Sequence, residues 1–364
     1  MKSRRRRIFG WPGLAIATLM VGVTLAQCSS RSAVPMPLLD GVESGVASKV
    51  RACRDAVVAD PSVDHWARYA LTLHAHRMLT EAEFAYLQTA ATGDSAAAFE
   101  FLHLAGMAAM VNSRPAAALQ HFNRALSHKS DYTPTHLHAA IVAERLGLLD
   151  QARQHYERVN AYGRSSHACL GLGRLALVDG DAKAALAYLR EALVIYPDHH
   201  EVHEALARTY ARLGERDKSR AAAKRAGDHE KVTQFVDSLF AKVEAEAVDV
   251  QTLLMRGNWF AENNDQAKAI EQFELVIAER PQHPGAHLAL ASVFYSSGML
   301  ARTRVHVDLL LAQDPQQLLA LELRARLLID LGETQAAKRD LQTLLTRQPA
   351  HEWASAALKK LRRR

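Results

Sequence analysis

Eighteen histidines in 364 residues invite a search for metal chemistry. The densest group is His199-His200-Glu201-Val202-His203, where His199 and His203 fall four apart at a helix start. That spacing lets two imidazoles close on one metal ion, but a stable site wants a third strong ligand and the sequence places none. The favoured reading is a solvated helix start, with no metal and no cofactor expected. Arg174, Arg208 and Arg212 have the chemistry to hold an acidic peptide or a free carboxylate by charge-assisted hydrogen bonds. Cys53 and Cys169 lie 116 residues apart and read as two unpaired, half-buried thiols rather than a disulfide. No C-x-x-C, G-x-S-x-G, H-E-x-x-H, P-loop or dinucleotide fingerprint occurs. Glu244 and Glu246 are two apart on a helix and face different ways, so they form no acid–base dyad. Binding is the chemistry that remains, and an enzyme is the least favoured class.

A repeat positions these residues. Pro281, Pro315 and Pro349 stand 34 residues apart, and Gly298 and Gly332 keep the same interval. A period of 34 is the length of one helix–turn–helix unit, which buries its apolar face only by stacking on copies of itself. In each unit the first helix carries a small residue where another helix crosses closely: Ala70, Gly106, Ala140, Gly173, Ala207, Gly257, Ala291 and Ala325. Seven residues on comes a turn residue: Arg77, Ser113, Gly147, Gly180, Gly214, Asn264, Gly298 and Gly332. Six of these eight are Gly or Asn, which take the left-handed conformation that ends a helix. The second helix follows with a small residue, then four later a larger one: Tyr86, Phe122, Tyr156, Leu189, Ala223, Phe273, Val307 and Leu341. Ala223 is the exception in size. His136, His203 and His287 occupy equivalent places in three units, which suggests a repeated packing role or groove role.

At these residues the chain resembles the tetratricopeptide repeat family, over roughly residues 64–226 and 250–350. The resemblance implies an all-α fold, a right-handed α-solenoid whose first helices line a concave groove. In the same register it points Glu144, Arg145, Leu170, Arg174, Glu204, Arg208, Arg212, Asn258 and Tyr295 into that groove. An acidic or extended protein segment is the expected occupant; a solvated, partly self-paired groove is the alternative. The family's clamp of Lys and Asn is not set out here and is not carried over.

The expected organisation is an export signal or membrane anchor at 1–28 and a linker with a short helix at 29–62, bearing Val46, Val50, Cys53 and Val57 on one side. Five units follow at 63–227, a spacer helix at 228–249, three units at 250–349 and a basic capping helix at 350–364. The spacer carries Val232, Phe235, Val236, Leu239, Phe240, Val243 and Ala247 on one helical face. Packing that continues the stack is favoured over a joint that bends or forms a homodimer. The capping helix is expected to pack through Trp353, Ala357 and Leu361.

The formal charge of +6 resides at the two ends, leaving −4 for residues 8–358, so a basic nucleic-acid face is not expected. Lys2 and the run from Arg4 to Arg7 precede an uncharged, mainly apolar stretch at 8–26, the layout of an export signal. Leu25-Ala26-Gln27-Cys28 resembles a bacterial lipoprotein processing box, which implies lipidation of Cys28; a cleaved signal and an uncleaved anchor are the alternatives. All three place the chain in the periplasm or on the inner or outer membrane. The expected function is a protein-binding scaffold or assembly factor of the cell envelope, and the order of segments resembles bacterial proteins found alongside secreted β-propeller-like partners. The alternatives are a glycan- or polymer-handling part of an export machine, against which 6% aromatics counts, and a metal-binding carrier resting on the histidines.

Overall fold

A computed structural model describes residues 33–228 and 237–362. Its described secondary structure is entirely α-helical. α1 (Ser44–Ala59) buries Val46, Val50, Cys53 and Val57 on one face. Eight antiparallel hairpins then pair α2 (Val63–Ala75) with α3 (Leu79–Thr92), α4 (Ser95–Val111) with α5 (Pro115–His128), and α6 (Thr133–Arg145) with α7 (Leu149–Tyr162). The fourth and fifth are α8 (Ser166–Val178) with α9 (Ala182–Ile195) and α10 (His200–Arg212) with α11 (Arg216–Asp228). After the short α12 (Phe240–Ala245) come α13 (Val250–Glu262) with α14 (Gln266–Glu279), α15 (Pro284–Ser296) with α16 (Leu300–Gln313), and α17 (Leu318–Asp330) with α18 (Thr334–Arg347). α19 (Glu352–Arg362) closes the end.

Local chemistry sets the helix ends. Ser62, Asp94, Ser165, Asp181, Asp249 and Asp265 each accept a backbone N–H of the first turn that has no partner inside the helix. All eight turn residues have positive φ, between 57° and 84°, and the residue after each donates its N–H back five positions, as from Leu148 to the Ala143 carbonyl at 2.9 Å. Arg77 and Ser113 take this conformation too, at a cost of about 1–2 kcal/mol each that glycine would avoid.

The small residues of the first helices face the large residues of the second. A Cβ on Gly106 would lie 2.5 Å from the Phe122 ring, one on Gly257 2.5 Å from Phe273, and one on Gly173 2.9 Å from Leu189. Ala70, Ala140, Ala291 and Ala325 are fully buried, as are Tyr86, Tyr156 and Val307 on the helices that cross them. Hairpin five departs from this pattern: Ala223 is exposed, and among the described residues of α11 only Ala222 is in the core. Successive first helices also touch one another, α4 with α6, α6 with α8, α8 with α10, and again α13 with α15 and α15 with α17. First helices therefore lie on the inside of the curve.

The single spacer helix expected over 228–249 does not form among the described residues. Val232, Phe235 and Val236 lie outside them, Ser238 and Leu239 form a turn, and α12 is six residues long. α12 packs on α2, at the far end of the first block, rather than continuing the stack from α11. The second block is held there as well. Glu279 of α14 accepts from Ser44 N at 2.6 Å and Gly45 N at 2.7 Å on the first turn of α1, an anion on a helix N-terminus. Glu43 bonds Arg280 and the Val250 N–H. Cys53 and Cys169 are free thiols, buried rather than half-buried. α19 buries Ala354, Leu358 and Leu361, with Trp353 and Ala357 at the margin rather than at the centre of its face.

The crossings yield a direct test. Gly257→Ala drives a methyl into Phe273 and should cost about 1–3 kcal/mol in chemical denaturation. Gly163→Ala meets nothing within 4 Å and should leave stability within about 0.5 kcal/mol.

Candidate functional site

The inner face of the first three hairpins is already in contact with the chain's own spacer. Asp237 lies against α4 and α6, with its Oδ2 2.7 Å from His103 Nε2 and 3.5 Å from His138 Nε2. Its Oδ1 accepts the Tyr132 hydroxyl at 2.9 Å and the Leu239 N–H at 3.0 Å. Phe240 meets His74 edge-on, and Lys242 pairs with Glu100 of α4. Glu246 pairs with Lys49 of α1, and the Val248 N–H points to His76 Nε2 at 3.4 Å. Arg256 of α13 donates to the Glu244 and Ala247 carbonyls, satisfying the end of α12. Beside α12 opens an apolar hollow of about 600 Å³, lined by Leu79, Val111, Phe240, Met255 and Trp259, among others. Trp259 is 58% exposed on its rim.

Burial alone would raise the Asp237 carboxyl. Hydrogen bonds from His103, His138 and Tyr132 hold it well below the usual carboxylate range instead. Burial pushes His103 below the ordinary imidazole value, and Asp237 offsets this only in part. His103 Nδ1 lies 2.8 Å from Thr135 Oγ1. Further round the stack, Glu83 bridges Arg114 at 2.7 Å and His121 at 3.0 Å, tying hairpin one to hairpin two.

The groove residues expected from the repeat register do not form one site. Glu144, Arg145 and Arg174 line a hollow of about 610 Å³ with Ile141, His167 and Glu201. Arg174 there donates twice to Glu144, both at 3.0 Å, and Glu144 also accepts the Tyr156 hydroxyl. Burial would lower the guanidinium, but those bonds raise it, so its charge is permanent and already answered. Arg208 reaches Glu204 at 3.7 Å, and Arg212 donates to the Leu177 carbonyl. Leu170 is not in the groove; it is 3% exposed, inside the core of hairpins four and five. Asn258 is exposed on α13. Tyr295 belongs to a separate hollow of about 390 Å³ near α19 and donates to Asp330 at 2.6 Å; burial and that carboxylate push its hydroxyl up to about 12. Of the four arginines, Arg174, Arg208 and Arg212 thus each meet a group of the chain itself.

The histidine run at 199–203 is not a solvated helix start, because all three histidines are buried. His199 Nδ1 meets Ser166 Oγ at 3.0 Å, and His203 Nε2 meets the Pro197 carbonyl at 2.9 Å. His136 and His287 repeat that second bond to the Ser130 and Pro281 carbonyls, at 3.0 and 2.8 Å. The three equivalent histidines thus pin a first helix to the loop that precedes it.

Sequence reasoning missed His103, His138, Tyr132 and Asp237. The two histidines fall near the same register position in successive units, which is a readable signal. The acid sits in the 50-residue interval, and only knowledge that this segment folds back would have joined it to them.

Three tetratricopeptide-repeat models match the chain, at residues 137–200, 176–236 and 251–283, so these segments are tetratricopeptide repeats. No curated protein matches it in sequence. Among solved structures it is similar to a chain of the APC/C hetero-tetramer Cut9–Hcn1, at 16% identity over 78% of this chain and TM-score 0.38. It spans about half the length, 52%, of that chain. It is similar also to a tetratricopeptide repeat protein from Parabacteroides merdae, at 15% identity over 74% of this chain and 99% of that one, TM-score 0.34. For Pseudomonas aeruginosa pilF the values are 15%, 74%, 99% and 0.30.

Buried imidazoles give the stack a pH dependence. Burial first, then nearby positive or imidazole groups, lowers His74, His155 and His199 to about 4. Their unfolded value is about 6.5, so between those limits the unfolded chain binds protons that the folded chain does not. This contribution is fully present above about pH 6.5 and is lost as pH falls toward 4. The thermal midpoint followed by circular dichroism should fall steadily across that window, and His199→Asn should flatten the slope. A midpoint independent of pH there would contradict the assignment.

Proposed function

With tetratricopeptide repeats as its architecture, we propose that the chain is a protein-binding scaffold of a bacterial cell envelope. The inner face of hairpins one to three takes an extended segment carrying a carboxylate followed, three residues on, by an aromatic ring. One observation supports this above the rest: the chain's own Asp237-Ser238-Leu239-Phe240 lies there, its acid among His103, His138 and Tyr132 and its ring against His74. A preformed curved surface loses little conformational entropy when such a segment docks. The spacer then acts as an occupant in cis, which a partner must displace against an effective concentration of about millimolar.

Export and membrane tethering rest on residues 1–28, which lie outside the described residues. The basic start, the uncharged run at 8–26 and Cys28 support them. Among the described residues no helix is long and apolar enough to cross a membrane.

A labelled peptide of residues 237–248, added to the full chain and followed by fluorescence anisotropy, tests the partner class. It should bind the Asp237→Ala, Phe240→Ala double variant at least about 10-fold more tightly than the unaltered chain, because the competitor in cis is gone. Equal affinity for both, or no binding to the variant, would remove the reading. Fractionation of cells making the whole chain or a form lacking 1–28 tests the tether: only the whole chain should sediment with membranes.

A further inference from the structure

Two imidazoles from different hairpins converge on a single carboxylate oxygen. His103 Nε2 of α4 and His138 Nε2 of α6 lie 2.7 and 3.5 Å from the same Oδ2 of Asp237. The three donor atoms fall within 4.8 Å of one another. Their side chains are 0%, 13% and 5% exposed, so this is no surface cluster of loosely held groups. The outer contacts matter as much. His103 turns its other nitrogen to Thr135 Oγ1 at 2.8 Å, and Asp237 gives its other oxygen to Tyr132 and to the Leu239 N–H. Each partner fixes the orientation of its residue and leaves one donor atom aimed inward. Hydrogen-bonded second partners of this kind are what hold metal-ligating histidines and carboxylates in place.

We propose that His103, His138 and Asp237 form a binding site for a divalent transition-metal cation of the zinc class, which ties the spacer to hairpins two and three. Metal–ligand bonds of about 2.0–2.1 Å in tetrahedral geometry place neighbouring donor atoms about 3.3 Å apart. The His138 to Asp237 distance already matches that spacing, and the His103 to Asp237 distance needs to open by about 0.6 Å, less than a rotamer change. Two imidazoles and one carboxylate leave a fourth position for water or for a donor from a partner. Other histidine pairs lack this composition. His136 with His155 and His287 with His306 meet through Nδ1 atoms at 3.0 and 2.9 Å, and His136 and His287 turn their remaining nitrogens to backbone carbonyls. Among the described residues His103, His138 and Asp237 form the one cluster of three ligand-type side chains close enough to share an ion.

The experiment uses the purified full chain, stripped with EDTA, dialysed and titrated with Co(II) and then Zn(II). One equivalent of Co(II) should bind with the intense visible absorption of a four- or five-coordinate ion, and Zn(II) should bleach it. Asp237→Asn and His138→Gln should each weaken Co(II) binding by more than about 100-fold, and Thr135→Val by about 10-fold, while His155→Gln should leave it unchanged. Absence of the visible band in the unaltered chain overturns the site, as does unchanged affinity in Asp237→Asn, which would assign the metal to scattered histidines. Should Asp237→Asn lose helicity, the spectrum of the unaltered chain decides alone. Peptide capture is measured in EDTA, so the partner reading and the metal site fail independently.

Discussion

Close helix crossing is the constraint on which the rest depends. A first helix approaches its second helix only where Gly or Ala leaves room for a ring or a branched side chain to lie across the backbone. The Cβ distances at Gly106 and Gly257 show how little room remains. Closely packed interiors do not absorb an added methyl without moving something. Each hairpin therefore comes out with nearly the same shape, and the inner surface is assembled from first helices spaced by that shape. His103 and His138 reach one carboxylate because two successive crossings set α4 and α6 in register.

Hairpin five is where the crossing loses its large residue. Ala223 lays no large side chain across α10, and among the described residues of α11 only Ala222 is in the core. The chain resumes elsewhere, with Glu279 on the first turn of α1 and α12 against α2. One array thus becomes two blocks that share α1 and α2. Unlike an uninterrupted solenoid, in which each repeat touches only its neighbours, this molecule connects its sixth hairpin to α1.

Much of this was readable from residue spacing. The small, turn and large positions recur at fixed offsets, and the eight turn residues are all left-handed, Arg77 and Ser113 included, although their side chains gave no hint of it. Register found them where composition did not. What spacing could not reveal was pairing between units. Arg174 looks free along the chain, yet Glu144, 30 residues earlier, neutralises it. His199 and His203 look like a polar helix start, yet the preceding loop and Ser166 cover them. The spacer shows a helical face, but the surface receiving Asp237 lies 134 residues away from it in His103. Periodicity describes the face a segment presents; it carries no information about which distant surface answers it.

The return of the spacer has a consequence for the order in which the molecule is made. Its contacts join Asp237 to His103 across 134 residues and Val248 to His76 across 172. Loops of that length close late, after local hairpins have formed, because their ordering entropy precedes any reward. A chain emerging from the ribosome presents its first three hairpins bare before the covering segment arrives. During that interval the surface is open to whatever protein meets the nascent chain, and afterwards the same protein must compete for it.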